Sequence, residues 1–369
     1  MPPDSLAVEL VALAATVVAA VVLSVVWSAT PGRRRILVRS LAVFTCLVTA
    51  LATGLIWANR QIDTYPTWSS LVGSAPGTTT AIQDAPADDT NAGHLISFTV
   101  TGKIGRMTMP VYAYLPPGYT RTPGTRYPVV EALHGYPGSP LQWINGLDVA
   151  AVLNHEIDVG RMAPTVVVFP YQTPDPTLDT ECTNIVNGAQ AETFLTVDVP
   201  AAVRARLRVR TDAAGWGLIG YSAGGYCATD LLLRHPGEYT AAASLSGYAD
   251  PGITVGDGTE STLYNDLWRI GHLPVPAVAL YLACARTDRI SLHDTLALAR
   301  ALRARLPVTT SYLNGGGHNA QTWRDMEAPA FDWLSTSLGR PIVPASPAPS
   351  AKAANPHTAA TALSGSSRR

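Results

Sequence analysis

The feature that most constrains this chain is a serine between glycines, placed where an apolar run meets a helical pattern. Trp216–Ile219 is a short, continuously apolar run, which is typical of a buried strand, and Ala228–Arg234 has the composition of a helix. The turn between them has the pattern Gly-x-Ser-x-Gly, centred on Ser222. A tight turn of this kind holds the hydroxyl exposed, and glycines let strand and helix approach closely. We therefore predict that Ser222 is a nucleophile and that the amide of Ala223 binds a developing oxyanion.

Apolar runs and helical patterns alternate through the second half of the chain. We expect strands at Leu95–Val100, Met107–Leu115, Tyr127–Leu133, Thr165–Phe169, Trp216–Ile219, Ala241–Leu245, Val278–Ala283 and Thr309–Leu313. We expect further helices at Leu147–Val159, Ala191–Arg208, Leu292–Leu306 and Thr322–Leu338. Two strands in a hairpin followed by alternating strands and helices predict an α/β fold, with a mostly parallel sheet and helices on both faces.

Two further strand ends carry acid and base side chains. Val278–Ala283 is followed by Asp288, and Thr309–Leu313 is followed by three glycines and His318. The chain order Ser, Asp, His is that of the α/β-hydrolase fold, and the carboxyl ends of parallel strands meet at one edge of a sheet. We predict Asp288 as the acid and His318 as the base, with Asp294, inside the next helix, as the alternative acid. The remaining histidines considered are expected at the surface or in packing: His155, His235, His272 and His293.

The strand that ends at Leu133 continues into a His-Gly turn. In esterases of the α/β-hydrolase fold, a turn at this place supplies the second backbone amide of the oxyanion hole. We assign that amide to Tyr136 and keep Gly135 as the alternative, while His134 is expected to be structural.

The region from His94 to about Gly339 resembles the putative-esterase family of α/β-hydrolases. That family includes S-formylglutathione hydrolases, feruloyl esterases, enterochelin esterases and mycobacterial mycolyltransferases. The resemblance is carried by Leu133-His134-Gly135, Gly220-Tyr221-Ser222-Ala223-Gly224-Gly225, Asp288, Gly317-His318 and Trp323. It implies that Ser222, Asp288 and His318 form a catalytic triad that acts through an acyl-enzyme on an ester.

The N-terminal part contains two long apolar runs, Leu6–Trp27 and Ile36–Ala58. Each is long enough to cross a hydrocarbon core of about 30 Å as a helix. The connection between them contains Arg33–Arg35, which the positive-inside rule assigns to the cytoplasm. We therefore expect a multi-pass protein of the cell membrane whose catalytic domain lies outside the cytoplasm.

Composition sets the expected domain boundaries. Residues 1–59 are expected to form the two-helix transmembrane anchor, 60–93 a flexible linker, 94–340 the catalytic domain and 341–369 a disordered tail. A formal net charge of −1 gives no reason to expect nucleic acid as a partner.

The four cysteines have neither zinc-site spacing nor a Cys-x-x-Cys pair, so we expect no metal and no cofactor. Cys46 lies in a predicted membrane span, which leaves three cysteines on the oxidising side. Three cysteines allow one bridge. We expect Cys182–Cys227, since both lie near the active edge, and expect Cys284 to stay free.

Two stretches are candidates for contacts with the substrate. Asp250–Leu273 is an insertion with an amphipathic pattern, which predicts either a wall of the acyl pocket or a surface helix; its candidate wall residues are Tyr264, Leu267, Trp268 and Ile270. The loop Tyr171–Ala189 falls at the active edge and could contact a polar acceptor.

Together these features predict a membrane-anchored, extracytoplasmic serine esterase whose substrate is a carboxylic ester or an acyl lipid. Two alternatives remain at this point. One is an envelope acyltransferase of the mycolyltransferase type, and the other is a catalytically idle binding module on the same scaffold.

Overall fold

A computed structural model describes residues 5–29, 32, 35–62, 68 and 92–344. Helix α1 (Leu6–Ala29) and helix α2 (Arg35–Ile62) are both long and apolar enough to cross a membrane, by length and composition. They form an antiparallel hairpin, since Thr16 contacts Thr53 through their hydroxyls at 2.9 Å and Glu9 pairs with Arg60. Most of the large apolar side chains of both helices are exposed.

The described residues after position 92 form one sheet of eight strands in the order β1-β2-β4-β3-β5-β6-β7-β8. The strands are β1 His94–Thr101, β2 Thr108–Leu115, β3 Val129–Leu133, β4 Val166–Pro170, β5 Trp216–Tyr221, β6 Ala241–Leu245, β7 Ala279–Ala285 and β8 Val308–Leu313. The β1–β2 and β2–β4 pairs are antiparallel, and all others are parallel. Every residue of β3, β4, β5 and β6 is buried, as expected for strands covered on both faces.

Helices connect the parallel strands, and a last helix follows β8. They are α3 Val149–Asp158, α4 Val199–Arg206, α5 Ala223–Arg234, α6 Asp266–His272, α7 Leu292–Leu302 and α8 Ala320–Ser337. Helix α5 packs against β3, β5 and β6, and α8 packs against β6 and β7. The predicted fold class, a mostly parallel sheet flanked by helices in an α/β-hydrolase arrangement, is confirmed.

Two helix boundaries differ from the sequence-based expectation for physical reasons. The helix expected from Leu147 begins at Val149, because Asp148 has a left-handed backbone with φ 55°. The helix expected over Ala191–Arg208 is interrupted by a π-turn at Phe194–Asp198. Pro200 follows that turn and has no N–H to donate to the preceding turn, so a regular ladder of hydrogen bonds cannot run through it.

The expected linker and tail fall mostly outside the described residues. At the linker's first end, α2 continues to Ile62, beyond the expected boundary at 59. At the carboxyl end, Ile342 exchanges backbone hydrogen bonds of 2.9 and 2.8 Å with Arg126, so ordered pairing passes the expected boundary at 340.

Candidate active site

Ser222 lies in a strained turn between β5 and α5. Its backbone has φ 55° and ψ −122°, a conformation that non-glycine residues rarely adopt. The two flanking positions must be glycine because neighbouring backbone atoms leave no room for a Cβ. A Cβ at Gly220 would lie 1.9 Å from the carbonyl oxygen of Gly224, and a Cβ at Gly224 would lie 2.2 Å from the carbonyl oxygen of Leu133. The packing of helix against strand therefore excludes side chains on both sides of Ser222.

Three side chains from three strand ends form a chain of hydrogen bonds. Ser222 Oγ lies 2.7 Å from His318 Nε2, and His318 Nδ1 lies 3.0 Å from Asp288 Oδ2. Asp288 follows β7 and His318 follows β8, so both reach the carboxyl edge of the sheet where β5 ends at Ser222. The structure thus brings together the three residues that the sequence singled out.

Asp288 is held as a carboxylate by a buried set of donors. Its Oδ1 accepts the N–H groups of Ile290 at 3.0 Å and Ser291 at 3.2 Å. Burial raises the pKa of the Asp288 carboxyl, but the hydrogen bond and charge of His318 and these two N–H groups outweigh burial and place the pKa below its usual value. The hydroxyl of Ser291 donates to the carbonyl of Ser246 at 2.6 Å, which fixes this loop against the end of β6.

Asp294, the alternative acid, lies elsewhere. Its Oδ2 accepts the N–H of Ala249 at 3.2 Å, and its Oδ1 lies 2.9 Å from the Nδ1 of His293. Two of the other histidines also have local partners away from Ser222. His235 contacts Glu192 at 2.7 Å, and His272 contacts the carbonyl of Trp268.

Aromatic rings pack around the imidazole of His318. Trp323, at the start of α8, meets the ring of His318 edge-on with centroids 5.3 Å apart. The same indole stacks on Tyr221 at 4.5 Å, and Tyr221 in turn meets the fully buried Trp143 at 5.2 Å. These contacts limit the orientations that the imidazole can adopt.

The predicted oxyanion donors border one small recess beside Ser222. Gly135, Tyr136 and Ala223 all line it. Ala223 is the first residue of α5, so its N–H is not used by the helix's own hydrogen-bond ladder. His134 is buried and contacts the carbonyl of Gly135 at 2.8 Å through Nδ1; burial lowers its pKa to about 4, which keeps the ring neutral. His134 is thus buried and bonded within its own turn, as expected for a structural residue.

A cavity of about 370 Å³ opens beside Ser222 and His318. Its lining consists of Gly135, Tyr136, Pro137, Gln142, Asp179, Glu181, Tyr221, Ser222, Tyr248, Ile290, His318 and Trp323. None of the four wall residues expected from the Asp250–Leu273 insertion lines it. Instead, Ile270 is buried in the core and Trp268 stacks on His272, so residues Asp266–His272 of the insertion form a short helix packed at the surface of the domain, the second of the two expected arrangements.

The loop Tyr171–Ala189 does reach the cavity, through Asp179 and Glu181. It is tied to α5 by a disulfide between Cys182 and Cys227, with Cα atoms 5.7 Å apart. Cys284 is free and buried. Sequence reasoning missed Gln142, Tyr248 and Ile290 as lining residues, although Tyr248 closely follows the end of β6 and could have been found by that position.

In the described part of the chain, no group of three or more His, Cys, Asp or Glu side chains is arranged to hold a metal ion.

Comparisons with known proteins agree with this architecture. The sequence profile of the family described as Putative esterase matches residues 103–338. An uncharacterised protein of Corynebacterium glutamicum is 24% identical over 341 residues, which cover 84% of this chain and 78% of that protein. Because this alignment is longer than the family match, it extends beyond the esterase region.

Solved structures show the same fold. A ferulic acid esterase superimposes with a TM-score of 0.60 at 18% identity, covering 68% of this chain and 100% of its own. An S-formylglutathione hydrolase from Agrobacterium tumefaciens gives 0.57 at 14% identity, covering 68% and 97%. A fluorophosphonate-binding serine hydrolase of Staphylococcus aureus gives 0.54 at 17% identity, covering 66% and 99%. Since the family profile spans well over half of the chain, this protein belongs to the putative-esterase family and to the class of carboxylic-ester hydrolases.

Proposed function

We propose that this protein is a membrane-anchored serine esterase that uses Ser222, His318 and Asp288 to hydrolyse a carboxylic ester outside the cytoplasm. The observation that carries the proposal is the continuous hydrogen-bond chain from Ser222 Oγ to His318 at 2.7 Å and on to Asp288 at 3.0 Å. An idle module would have no reason to keep a strained serine, a base and a buried carboxylate in this order.

In the acylation step, His318 Nε2 takes the proton of Ser222 as Oγ attacks the ester carbonyl carbon. The Asp288 carboxylate accepts the Nδ1–H of His318, which fixes the tautomer and stabilises the imidazolium. The amides of Ala223 and Tyr136 donate to the oxygen that becomes negative. The tetrahedral intermediate then collapses, and the leaving alcohol takes the proton from His318 Nε2.

In the second step, His318 accepts a proton from water, which attacks the carbonyl carbon of the acyl-enzyme. The same two amides bind the second oxyanion, and collapse returns the proton to Ser222 Oγ and releases the carboxylic acid.

The anchor is the hairpin of α1 and α2. Arg35 and Arg39 lie at its connecting end, next to Arg33 and Arg34 in the sequence, whereas Arg60 at the other end is paired with Glu9. This asymmetry supports a cytoplasmic connection, with both chain ends and the catalytic domain on the opposite side.

Exchange of the nucleophile tests the proposal. Ser222→Ala should lower kcat on a short p-nitrophenyl ester by several orders of magnitude, because the acyl-enzyme can no longer form. Near-normal turnover by the folded variant would contradict the assignment.

A further inference from the structure

Two carboxyl groups line the cavity beside the nucleophile and have no part in the triad chemistry. They belong to Asp179 and Glu181, which come from the loop that the disulfide ties to α5. Glu181 is 5% exposed, and Asp179 is half-buried. A carboxylate withdrawn from water is costly unless a partner offsets the lost hydration.

The surrounding protein hydrogen-bonds well to only one of the two carboxyl oxygens of Glu181. Its Oε1 accepts the hydroxyl of Tyr248 at 2.5 Å, whereas its buried Oε2 meets no donor among the described residues other than the neighbouring Asp179 carboxyl. Burial, together with the nearby charge of Asp179, raises the pKa of Glu181 well above its usual range. The Oε2 atom belongs to a side chain that faces the cavity.

The backbone holds this arrangement in place. Glu181 and Cys182 have φ values of 42° and 54°, two consecutive left-handed residues without glycine. Thr183 donates its N–H to the carbonyl of Thr180 at 2.8 Å, and the Thr180 hydroxyl donates to the carbonyl of Gln172 at 2.7 Å. Strained residues persist only where surrounding contacts fix them, so the direction of Glu181 is built into the fold.

The rest of the lining supplies acceptors and aromatic faces. Gln142 is buried, and its Oε1 has no partner among the described residues. The hydroxyls of Tyr136 and Tyr248 already donate, to the carbonyl of Thr177 at 3.0 Å and to Glu181. Among the described lining residues there is no lysine or arginine. The cavity therefore lacks a fixed cation that could pair with its carboxyl groups.

We propose that Asp179 and Glu181 form a cation subsite, so that the ester this enzyme hydrolyses carries a positively charged amine close to the scissile bond. The inference rests on the proposed esterase function and names its substrate class. An ammonium group matches the cavity because it has donors and no acceptor, and because aromatic rings such as Tyr248 attract cations. Anionic esters are rejected by the same two carboxyl groups.

A neutral hydroxyl group fits less well. A hydroxyl brings one donor and also an acceptor that needs a donor in return, and it does not favour the ionised form of the carboxyl pair. A cation does favour that form, and in a partly buried site the attraction is stronger than in water.

The test compares esters that differ only in charge. One series is the p-nitrophenyl esters of hexanoic, ε-aminohexanoic and ε-hydroxyhexanoic acids and the monoester of adipic acid. The other compares choline butyrate, which carries its charge on the alcohol side, with the neutral ester in which carbon replaces the nitrogen. In at least one series the cationic ester should exceed its neutral counterpart in kcat/KM by about 10- to 100-fold, and the anionic ester should be the poorest substrate.

Variants then assign the preference. Asp179→Asn and Glu181→Gln should each reduce the cationic-to-neutral ratio of kcat/KM severalfold, and the double variant should bring it close to one. Asp158→Asn, which removes the same charge from an exposed site at the end of α3, should leave the ratio unchanged. A ratio near one in the wild type, a preference for the hydroxy ester, or a cation preference that survives the double variant would overturn the subsite.

This outcome is separable from the esterase proposal. A wild-type enzyme that hydrolyses the neutral esters in a Ser222-dependent manner but shows no charge preference retains the triad function and loses only the subsite. Absence of hydrolysis of every ester in both series would instead count against the esterase function itself.

Discussion

At the scale of single residues, Asp288 and Asp294 lie close in sequence and have different surroundings. Asp288 is buried and accepts from His318 and from two backbone N–H groups. Asp294 instead accepts from the backbone of Ala249 and contacts an exposed histidine. Only the first is in a position to hold the imidazole of His318 in one tautomer.

Asp288→Asn should therefore lower kcat by about 10³- to 10⁴-fold, because an amide at this place favours the wrong tautomer of the histidine. The measurement is steady-state hydrolysis of a neutral p-nitrophenyl ester. Asp294→Asn is the matched control, since it makes the same chemical change in the same segment and should retain near-normal kcat. Equal losses in both variants, or a loss confined to Asp294→Asn, would show that the acid has been misassigned.

The position of a site residue along the chain determines whether it could be predicted from the sequence. Ser222, Asp288 and His318 each follow an apolar run closely, and a strand end has a fixed place in a parallel sheet. Glu181 and Gln142 reach the cavity through a left-handed loop and a π-turn, whose paths depend on tertiary contacts. No periodicity in the sequence encodes those paths.

At the scale of elements, α8 carries both a site residue and a buried acid. Trp323 lies beside His318, and Glu327, one turn further along, is fully buried with no hydrogen-bond partner among the described residues for either carboxyl oxygen. Burial raises the pKa of Glu327 to about 9; the charge of Arg324 opposes this shift and that of Asp148 adds to it. At neutral pH, α8 therefore packs against the sheet with the carboxyl group of Glu327 protonated and neutral.

This shift makes stability depend on pH. Below pH 4.5, the usual pKa for this group, the carboxyl is protonated in both states and its contribution is fully present. As the pH rises toward about 9, the unfolded state releases the proton while the folded state retains it. The folded state then loses at most about 1.4 kcal/mol per pH unit. Glu327→Gln should remove this loss, so the stability of the variant relative to wild type should increase between pH 5 and pH 9.

Urea unfolding of the two proteins across that pH range measures the difference. Asp325→Asn on the same helix is the control, because it removes a carboxyl group from an exposed position and should behave like wild type. A difference between Glu327→Gln and wild type that stays constant with pH would contradict a protonated, buried Glu327.

Element types were more predictable than element ends. The strands β3 to β6 are short, mostly apolar and buried, so composition largely locates them. The ends of α3 and α4 depend on one left-handed residue, Asp148, and on the missing N–H of Pro200, which act through local backbone geometry.

At the scale of the whole molecule, the hairpin and the sheet domain differ in surface character. Large apolar side chains are exposed along both α1 and α2, whereas the sheet domain buries most of its own. Exposure of this kind over two long helices is expected for surfaces that face lipid. The proposed topology follows from the arginines at the connecting end of the hairpin.

Single introduced cysteines test that topology. Gly32→Cys places a thiol in the connection of the hairpin, and Asp257→Cys places one on an exposed loop of the sheet domain. In intact spheroplasts, a membrane-impermeant maleimide should label Asp257→Cys, and it should label Gly32→Cys only after lysis. The unaltered chain gives the background, since its free cysteines in the described residues are Cys284, which is buried, and Cys46, which lies within α2. The reverse labelling pattern would place the catalytic domain in the cytoplasm.

The most direct test of the nucleophile is covalent capture. The purified full-length protein is treated with a fluorophosphonate probe, digested and mapped by mass spectrometry. The probe should add once per chain, on the peptide that contains Ser222, and labelling should be lost in Ser222→Ala and strongly slowed in Asp288→Asn. No adduct on the folded wild-type protein, or an adduct that persists in Ser222→Ala, would contradict the assignment of Ser222 as the nucleophile.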